Sequence, residues 1–208
     1  SLILRYGVYM LKVGVRIKDN IHGYIYIPRE LKSVITCNPI LERLRYIHHM
    51  GAGFLIYVSA HQSRYEHSLG VYHIATKLFN KIAEKENIKK SEQEYLNKLI
   101  SLAALFHDIG HLYFSHTIEE LIYEFGNNRD KVINTIKNRI GLQGKPHEKI
   151  ACYILSEKKI IQEKIKNVFR GHDLDSIITD ICRIIVGLEN LKTTNRKWIT
   201  KLINGTID

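Results

Sequence analysis

The chain has 208 residues, of which 45% are hydrophobic, as is usual for soluble globular proteins of one or two domains. Its apolar runs are too short to cross a bilayer, and no charged leader precedes an apolar stretch. We therefore expect a protein of the cytoplasm, or of the nucleus, without a membrane partner. Basic residues outnumber acidic ones by 31 to 21, and the net charge of +10 favours polyanionic partners such as nucleotides or nucleic acid.

Cysteine spacing excludes two further classes of protein. Cys37, Cys152 and Cys182 lie far apart and form no CxxC pair. The sequence therefore predicts neither a disulfide framework nor a thiolate metal cage, and we expect three ordinary buried thiols.

The first predicted element is a short β hairpin or ribbon. Residues 7–17 alternate loosely between apolar and polar side chains, and residues 24–27 read Tyr-Ile-Tyr-Ile. Asp19-Asn20 and His22-Gly23 lie between the two stretches, and these residue types form turns. We therefore expect β structure within residues 1–27.

Short helical segments follow this hairpin. Residues 28–36 predict one short helix, and Asn38-Pro39 supplies a cap and a proline for the start of another, which residues 50–53 break. Residues 54–58 form an unbroken apolar run, which predicts a short strand or an extended buried segment.

Two longer amphipathic helices form the centre of the predicted fold. A polar loop at residues 60–68 leads into the first, whose apolar face is headed by His67. Ser91 and Glu94 have the spacing of a capping box and predict the start of the second. The apolar face of this second helix runs into a histidine and a carboxylate, His107 and Asp108.

The rest of the chain is predicted to be helical, with breaks rich in Gly or Asn. The periodic segments are residues 117–125, 129–140, 147–157, 159–169, 174–188 and 195–203. The expected fold is mainly α: a helical bundle in a single domain, residues 1–208, with a short β hairpin or ribbon near the N-terminus.

The two central helices each carry histidine near one end. A short connection favours antiparallel packing, so His67 should lie close to His107 and Asp108. A buried carboxylate needs a cation, a hydrogen-bond network or a metal ion, because desolvating it alone costs too much. Two imidazoles and a carboxylate are typical of a divalent metal site, suited to Fe, Mn or Zn. For an isolated His-Asp pair, a helix cap or ordinary ion pair is the plainer alternative.

At these residues the chain resembles the HD-domain phosphohydrolases. His67 followed by His107-Asp108 matches their H…HD…D pattern. The likeness runs from about Arg16 to Asp208 and is greatest to the deoxynucleoside triphosphate triphosphohydrolase branch, in particular its SAM-and-HD-domain members. The motifs that carry it, in chain order, are Ile21-His22-Gly23, residues 43–47, residues 63–71, residues 107–111, Phe114-Ser115-His116 and His147-Glu148.

This resemblance implies a role for each matching residue. His67, His107 and Asp108 would bind the metal ion, and Arg64 would hold the triphosphate, because a guanidinium fork suits phosphate oxygens. The catalytic residues that it implies around the phosphates are His111, His116, His147 and, as the carboxylate that orients a histidine, Glu119.

Three positions depart from the family pattern. His49 stands where the SAM-and-HD-domain members have a glutamine that contacts the sugar, so it is a candidate substrate contact and the preference for deoxyribose stays open. Cys37 replaces an aspartate of an activator site, which leaves a different regulatory nucleotide open. The family's fourth metal ligand would lie two positions beyond Asp208, so we expect the C-terminal part of the family domain to lie beyond the given chain.

The resemblance implies a metal-dependent enzyme that hydrolyses (deoxy)nucleoside triphosphates to nucleoside and inorganic triphosphate. The metal would be Fe, Mn or Zn, with Mg also able to accompany the triphosphate, and the protein would be a homo-oligomer. An HD-type phosphodiesterase or nuclease is one alternative, which the positive net charge favours. A non-catalytic nucleotide or nucleic-acid binding module is another.

Overall fold

The computed structural model describes residues 13–112 and 129–205. It opens with an antiparallel hairpin of β1 (Val13–Asp19) and β2 (Gly23–Pro28). Asp19 Oδ1 accepts hydrogen bonds from the backbone N–H groups of Ile21 and His22, at 2.8 and 2.7 Å, and this closes the turn. The predicted hairpin is confirmed, while residues 7–12 of the predicted first strand lie outside the described ranges.

Short helical pieces connect the hairpin to the long helices, as predicted. Asn38 precedes Pro39, the first residue of its helix, in an extended conformation. The pieces are a 3-10 turn (Arg29–Leu31), α1 (Lys32–Ile35), α2 (Pro39–Glu42) and a second 3-10 turn (Arg43–Tyr46).

The predicted strand or buried segment at residues 54–58 is wrong. A 3-10 turn (Gly51–Leu55) occupies its beginning, and the side chains that follow are strongly exposed, with Ile56 at 79% and Val58 at 89%. Among the described residues the only sheet is the hairpin, so this apolar run has no neighbouring strand to pair with. Apolar character alone does not bury a segment.

Two long helices, α3 (Arg64–Lys85) and α4 (Lys90–Phe106), form the centre of the fold. The connection has only four residues, 86–89, and the helices pack side by side as an antiparallel pair. Asn97 Nδ2 donates to Asn80 Oδ1 at 2.9 Å partway along the pair. The start of α3 therefore lies beside the end of α4, as the sequence predicts.

The capping box belongs to α3 and not to α4. Ser63 Oγ accepts from the Glu66 backbone N–H at 3.2 Å, and Glu66 Oε2 accepts from the Ser63 backbone N–H at 2.6 Å. The capping box predicted at Ser91 and Glu94 is wrong, because α4 already begins at Lys90 without a side-chain cap. Ser91 therefore lies inside the first turn of α4.

Four further helices and a final 3-10 helix complete the described part of the chain. Gly187 ends the last α-helix with φ of 82°, the left-handed backbone that glycine adopts without strain. The 3-10 form of Lys197–Leu202 replaces the predicted α-helix at residues 195–203, and the helix predicted at residues 117–125 lies outside the described residues. The helices are α5 (Arg129–Ile140), α6 (Pro146–Glu157), α7 (Lys159–Val168) and α8 (Leu174–Val186).

One cluster of buried side chains joins these elements, from Ile25 of β2 to Ile203. Cys152 and Cys182 belong to it, as predicted, but the buried position expected for Cys37 is wrong because that residue is exposed. In the described ranges, no helix has the length and apolar character needed to span a bilayer.

Candidate metal and active site

Asp108 lies at the centre of a buried polar cluster, two residues beyond the last residue of α4. Only 4% of its surface is exposed, so its carboxylate depends on neighbouring groups for stabilisation. The cluster is built from residues of the start of α3, the segment before Met50, the turn after α4 and the first turn of α6.

Arg64, the first residue of α3, is the ion-pair partner of Asp108. Its Nη1 lies 2.9 Å from Asp108 Oδ2, and each side chain is 5% exposed. Arg64 Nη2 also donates to the carbonyl oxygen of His49 at 3.2 Å. The predicted phosphate-binding arginine is thus already engaged with the carboxylate predicted to bind metal.

The histidines predicted as metal ligands lie beside Asp108. The ring centroids of His67 and His107 are 5.2 Å apart, and His107 Nε2 is 3.4 Å from Asp108 Oδ1. His107 Nδ1 lies 2.7 Å from the carbonyl oxygen of Ala104, which can only accept, so Nδ1 carries the proton. This hydrogen bond orients the other ring nitrogen, Nε2, toward the carboxylate.

His49, predicted as a substrate contact, also belongs to this cluster. Its ring centroid lies 4.3 Å from that of His67. Ligand atoms of His49, His67 and Asp108 all lie within 4.8 Å of one another. The donor set that the structure brings together is therefore richer in imidazole than the sequence predicts.

His111 and His147, two predicted catalytic residues, stack face to face beside Asp108. Their ring centroids are 4.0 Å apart with an interplanar angle of 19°, and His111 Nε2 lies 3.4 Å from Asp108 Oδ1. Gly110 makes this approach possible, since a Cβ there would lie 1.9 Å from the carbonyl oxygen of His147.

The charges around Asp108 set its protonation state. Burial alone would raise its pKa, but the neighbouring His107, His111 and Arg64 side chains hold that pKa well below its usual range. Asp108 is therefore a carboxylate, the form in which it can bind a cation.

Arg43 belongs to a motif that carries the family resemblance, but sequence reasoning gave it no role in the site. Arg43 donates from Nη1 to the carbonyl oxygen of His111 at 2.7 Å and from Nη2 to that of Ile109 at 2.6 Å. Both acceptors are backbone groups more than sixty residues away, so spacing along the chain carries no signal of this contact. The two bonds fix the turn that presents His111.

Glu148 ties the start of α6 to the C-terminal segment. Its carboxylate accepts from the Lys145 backbone N–H at 2.6 Å and from Asn204 Nδ2 at 3.1 Å. Asn204 also donates to the carbonyl oxygen of Ile185 at 2.6 Å. The helix end that carries His147 is thereby anchored.

Three residues of the prediction lie outside the described ranges: His116, Glu119 and Asp208. Histidines outside this cluster make ring contacts elsewhere in the described part of the chain. His22 packs against His73, with ring centroids 5.4 Å apart, and His48 stacks on Phe54 at 4.2 Å.

The donor set suits a divalent cation. Imidazole nitrogens with a buried carboxylate are the ligands that Fe, Mn and Zn accept in proteins, whereas Ca favours oxygen alone. The oriented Nε2 of His107 and the ionised Asp108 fit such an ion.

The comparisons with known proteins agree with this fold and its motifs. The family model described as HD domain matches residues 64–204, which include the helix pair and most of the cluster. The chain belongs to the HD domain family of phosphohydrolases.

Two curated relatives are similar over about half of the chain. The bovine deoxynucleoside triphosphate triphosphohydrolase SAMHD1 is 38% identical over 104 residues, 50% of this chain and 17% of the bovine protein. An uncharacterized protein of Methanocaldococcus jannaschii is 40% identical over 121 residues, 57% of this chain and 24% of that protein. The chain thus spans less than a quarter of the length of these two relatives.

A solved structure is similar over nearly all of the chain. The crystal structure of a hypothetical protein from Aquifex aeolicus matches with a TM-score of 0.62 and 26% identity. The match covers 92% of this chain and 42% of that protein. The fold of that protein therefore accounts for almost the whole length of the chain.

Proposed function

We propose that the protein is a metal-dependent hydrolase of (deoxy)nucleoside triphosphates, which releases nucleoside and inorganic triphosphate. The observation that carries the proposal is the buried cluster in which Asp108 contacts Arg64, His107 and His111. The likeness to a protein named deoxynucleoside triphosphate triphosphohydrolase supports the choice of substrate. In this proposal residues 1–208 are one HD domain, and the whole protein assembles as a homo-oligomer.

The residues that hold the metal ion in this proposal are His67, His107 and Asp108. When bound, the ion polarises phosphoryl oxygens and offsets the negative charge that develops in the reaction. Arg64, whose Nη1 lies 2.9 Å from Asp108 Oδ2, is proposed to bind phosphate oxygens through its guanidinium with two parallel hydrogen bonds.

Cleavage to nucleoside and triphosphate breaks the bond between the α-phosphorus and the 5′ oxygen. The oxygen of a water molecule bonds to phosphorus, and the departing 5′ oxygen needs a proton. The stacked His111 and His147 are the described groups that can carry such a proton, and Asp108 holds the His111 ring in place. His116 and Glu119 are proposed to complete this catalytic group.

A product assay tests the proposal on the protein in its full natural length, purified with its own metal. Each deoxynucleoside and ribonucleoside triphosphate is incubated with the protein, and triphosphate, pyrophosphate and phosphate are measured separately. We expect triphosphate together with free nucleoside. The matched control is His172→Ala, which alters the chain's second His-Asp dipeptide, far along the sequence from the cluster, and should leave the rate unchanged.

Other outcomes would contradict this function and indicate a different one. Pyrophosphate with a nucleoside monophosphate would mean that the link between the α- and β-phosphates breaks, and not the bond between the α-phosphorus and the 5′ oxygen. Cleavage of oligonucleotides without nucleotide turnover would indicate a phosphodiesterase or nuclease. Salt-sensitive nucleotide binding without turnover would indicate a binding module.

A further inference from the structure

His49 is held in a fixed position relative to the proposed metal site. Its backbone N–H donates to the carbonyl oxygen of Gln62 at 2.8 Å, and the Arg64 backbone N–H donates to that of Ile47 at 2.9 Å. An isolated β-bridge between His48 and Ser63 lies between these two bonds. The segment that carries His49 is therefore pinned to the residues that begin α3, the helix that carries His67.

The side chain of His49 lies where a metal ligand would lie. Its ring centroid is 4.3 Å from that of His67, and His49, His67 and Asp108 offer ligand atoms within 4.8 Å of one another. Ligand bonds of about 2.1 Å place two atoms on one ion roughly 3 to 4 Å apart. The distances between the three ligand atoms thus need to shorten by less than about 2 Å for the atoms to bind one ion.

We infer that His49 is a metal ligand in this protein, beside His67, His107 and Asp108. The inference deepens the proposed function, on whose metal site it rests. It replaces the role of sugar contact predicted for His49, because a ring nitrogen bound to the ion no longer faces the substrate.

An imidazole at this position changes the character of the site. A glutamine at this position would offer an amide oxygen, which is a weaker ligand for Fe, Mn or Zn than an imidazole nitrogen. Three imidazoles and one carboxylate favour these ions over Mg, which prefers oxygen and keeps its waters. The site would therefore hold its metal through purification and leave Mg to the triphosphate of the substrate.

Metal titration without nucleotide tests this inference. Protein stripped by a chelator is titrated with Zn²⁺ and with Co²⁺ by calorimetry and visible absorption, for the wild type, His49→Gln and the matched control His48→Gln. His48 is the adjacent residue and stacks on Phe54. We expect His49→Gln to weaken binding at least about tenfold and to alter the Co²⁺ spectrum, as ligand loss does, while His48→Gln does neither.

The outcomes distinguish a ligand from a sugar contact. Unchanged affinity and an unchanged Co²⁺ spectrum in His49→Gln would overturn the inference, and a change only in the preference between deoxyribose and ribose would assign His49 to the substrate. X-ray absorption of the zinc-loaded wild type is an independent measurement that does not need the variant to fold. It should count three imidazoles, and two would overturn the inference.

Failure of the inference can be told apart from failure of the proposed function. If the wild type binds metal through three imidazoles but hydrolyses no nucleotide, the proposed function is wrong and the ligand assignment stands. If His49→Gln keeps its metal and the wild type releases triphosphate, the assignment of His49 is wrong and the function stands.

Discussion

Arg64 and Asp108 form a buried ion pair, 2.9 Å from Nη1 to Oδ2, that joins the first residue of α3 to the turn after α4. The same two residues are candidates for binding phosphate and metal. Without metal, the Asp108 carboxylate depends on the charge of Arg64 for its stability. A bound metal ion would supply a second positive charge to the same carboxylate.

Replacing Arg64 with Ala should destabilise the metal-free protein by about 3 kcal/mol or more, because a buried carboxylate loses its partner. A bound divalent ion supplies positive charge to the same carboxylate, so metal should restore part of that loss. The Michaelis constant for the nucleoside triphosphate substrate should rise while the metal stays bound. Thermal unfolding with and without metal, together with initial rates, measures both effects.

The exposed Arg170 provides the matched control, since Arg170→Ala removes an arginine that lies outside the site. An equal loss of stability in Arg64→Ala with and without metal, or an unchanged Michaelis constant, would contradict this account of the pair.

His107→Ala and Asp108→Ala should each abolish tight metal binding, because each removes one of a small set of ligands. Elemental analysis of the purified variants measures this directly. Both side chains are buried, so circular dichroism should first establish that the variants fold. Metal retained in both folded variants would eliminate the metal site proposed here.

Gly110→Ala should separate the turn after α4 from α6. A Cβ at this position would lie 1.9 Å from the carbonyl oxygen of His147 and 2.7 Å from the backbone nitrogen of Ala151. Overpacking against backbone costs about 3 kcal/mol, and the stack of His111 on His147 should break. Urea unfolding and the rate of hydrolysis measure the two effects.

Gly53→Ala is the matched substitution for this test. A Cβ there would meet only the side chain of Met50, at 3.4 Å, so stability should change little. If Gly110→Ala were as stable and as active as Gly53→Ala, the close approach of the turn to α6 would not be needed for the site.

Ser63→Ala should destabilise the protein by about 1 kcal/mol, the usual cost of losing an N-cap side chain. Ser91→Ala should be nearly neutral, because Ser91 lies inside α4 and the structure gives it no capping bond. Equilibrium unfolding of the two variants side by side measures the difference. A larger loss for Ser91 would mean that α4 uses the capping box predicted from its sequence.

The helices could be predicted because their apolar periodicity is strong, and the antiparallel pair followed from the short connection. The position of the capping box could not be predicted in this way. Ser63-Glu66 and Ser91-Glu94 have the same spacing, and only the first residue of the helix decides which serine is a cap. The exposed segment at residues 54–58 shows the same limit, since an apolar run does not reveal whether a neighbour covers it.

In the site, His67, His107 and Asp108 could be placed together from helix packing alone. The closeness of His49 to these groups could not be predicted, because it lies on a segment between two 3-10 turns whose position depends on backbone hydrogen bonds to residues 62–64. The role of Arg43 could not be predicted for a related reason, since both of its acceptors are main-chain carbonyl oxygens. Contacts of this kind leave no trace in residue type or spacing.

The three thiols of the chain differ in how a reagent can reach them. Cys37 is exposed, while Cys152 on α6 and Cys182 on α8 are fully buried. Burial also raises the pKa of the Cys152 thiol above its ordinary value. An alkylating reagent therefore labels Cys37 at once and reaches the other two only when α6 and α8 part. Because α6 also carries His147, the alkylation rate of Cys152 measures how often the part of the site that contains His147 opens.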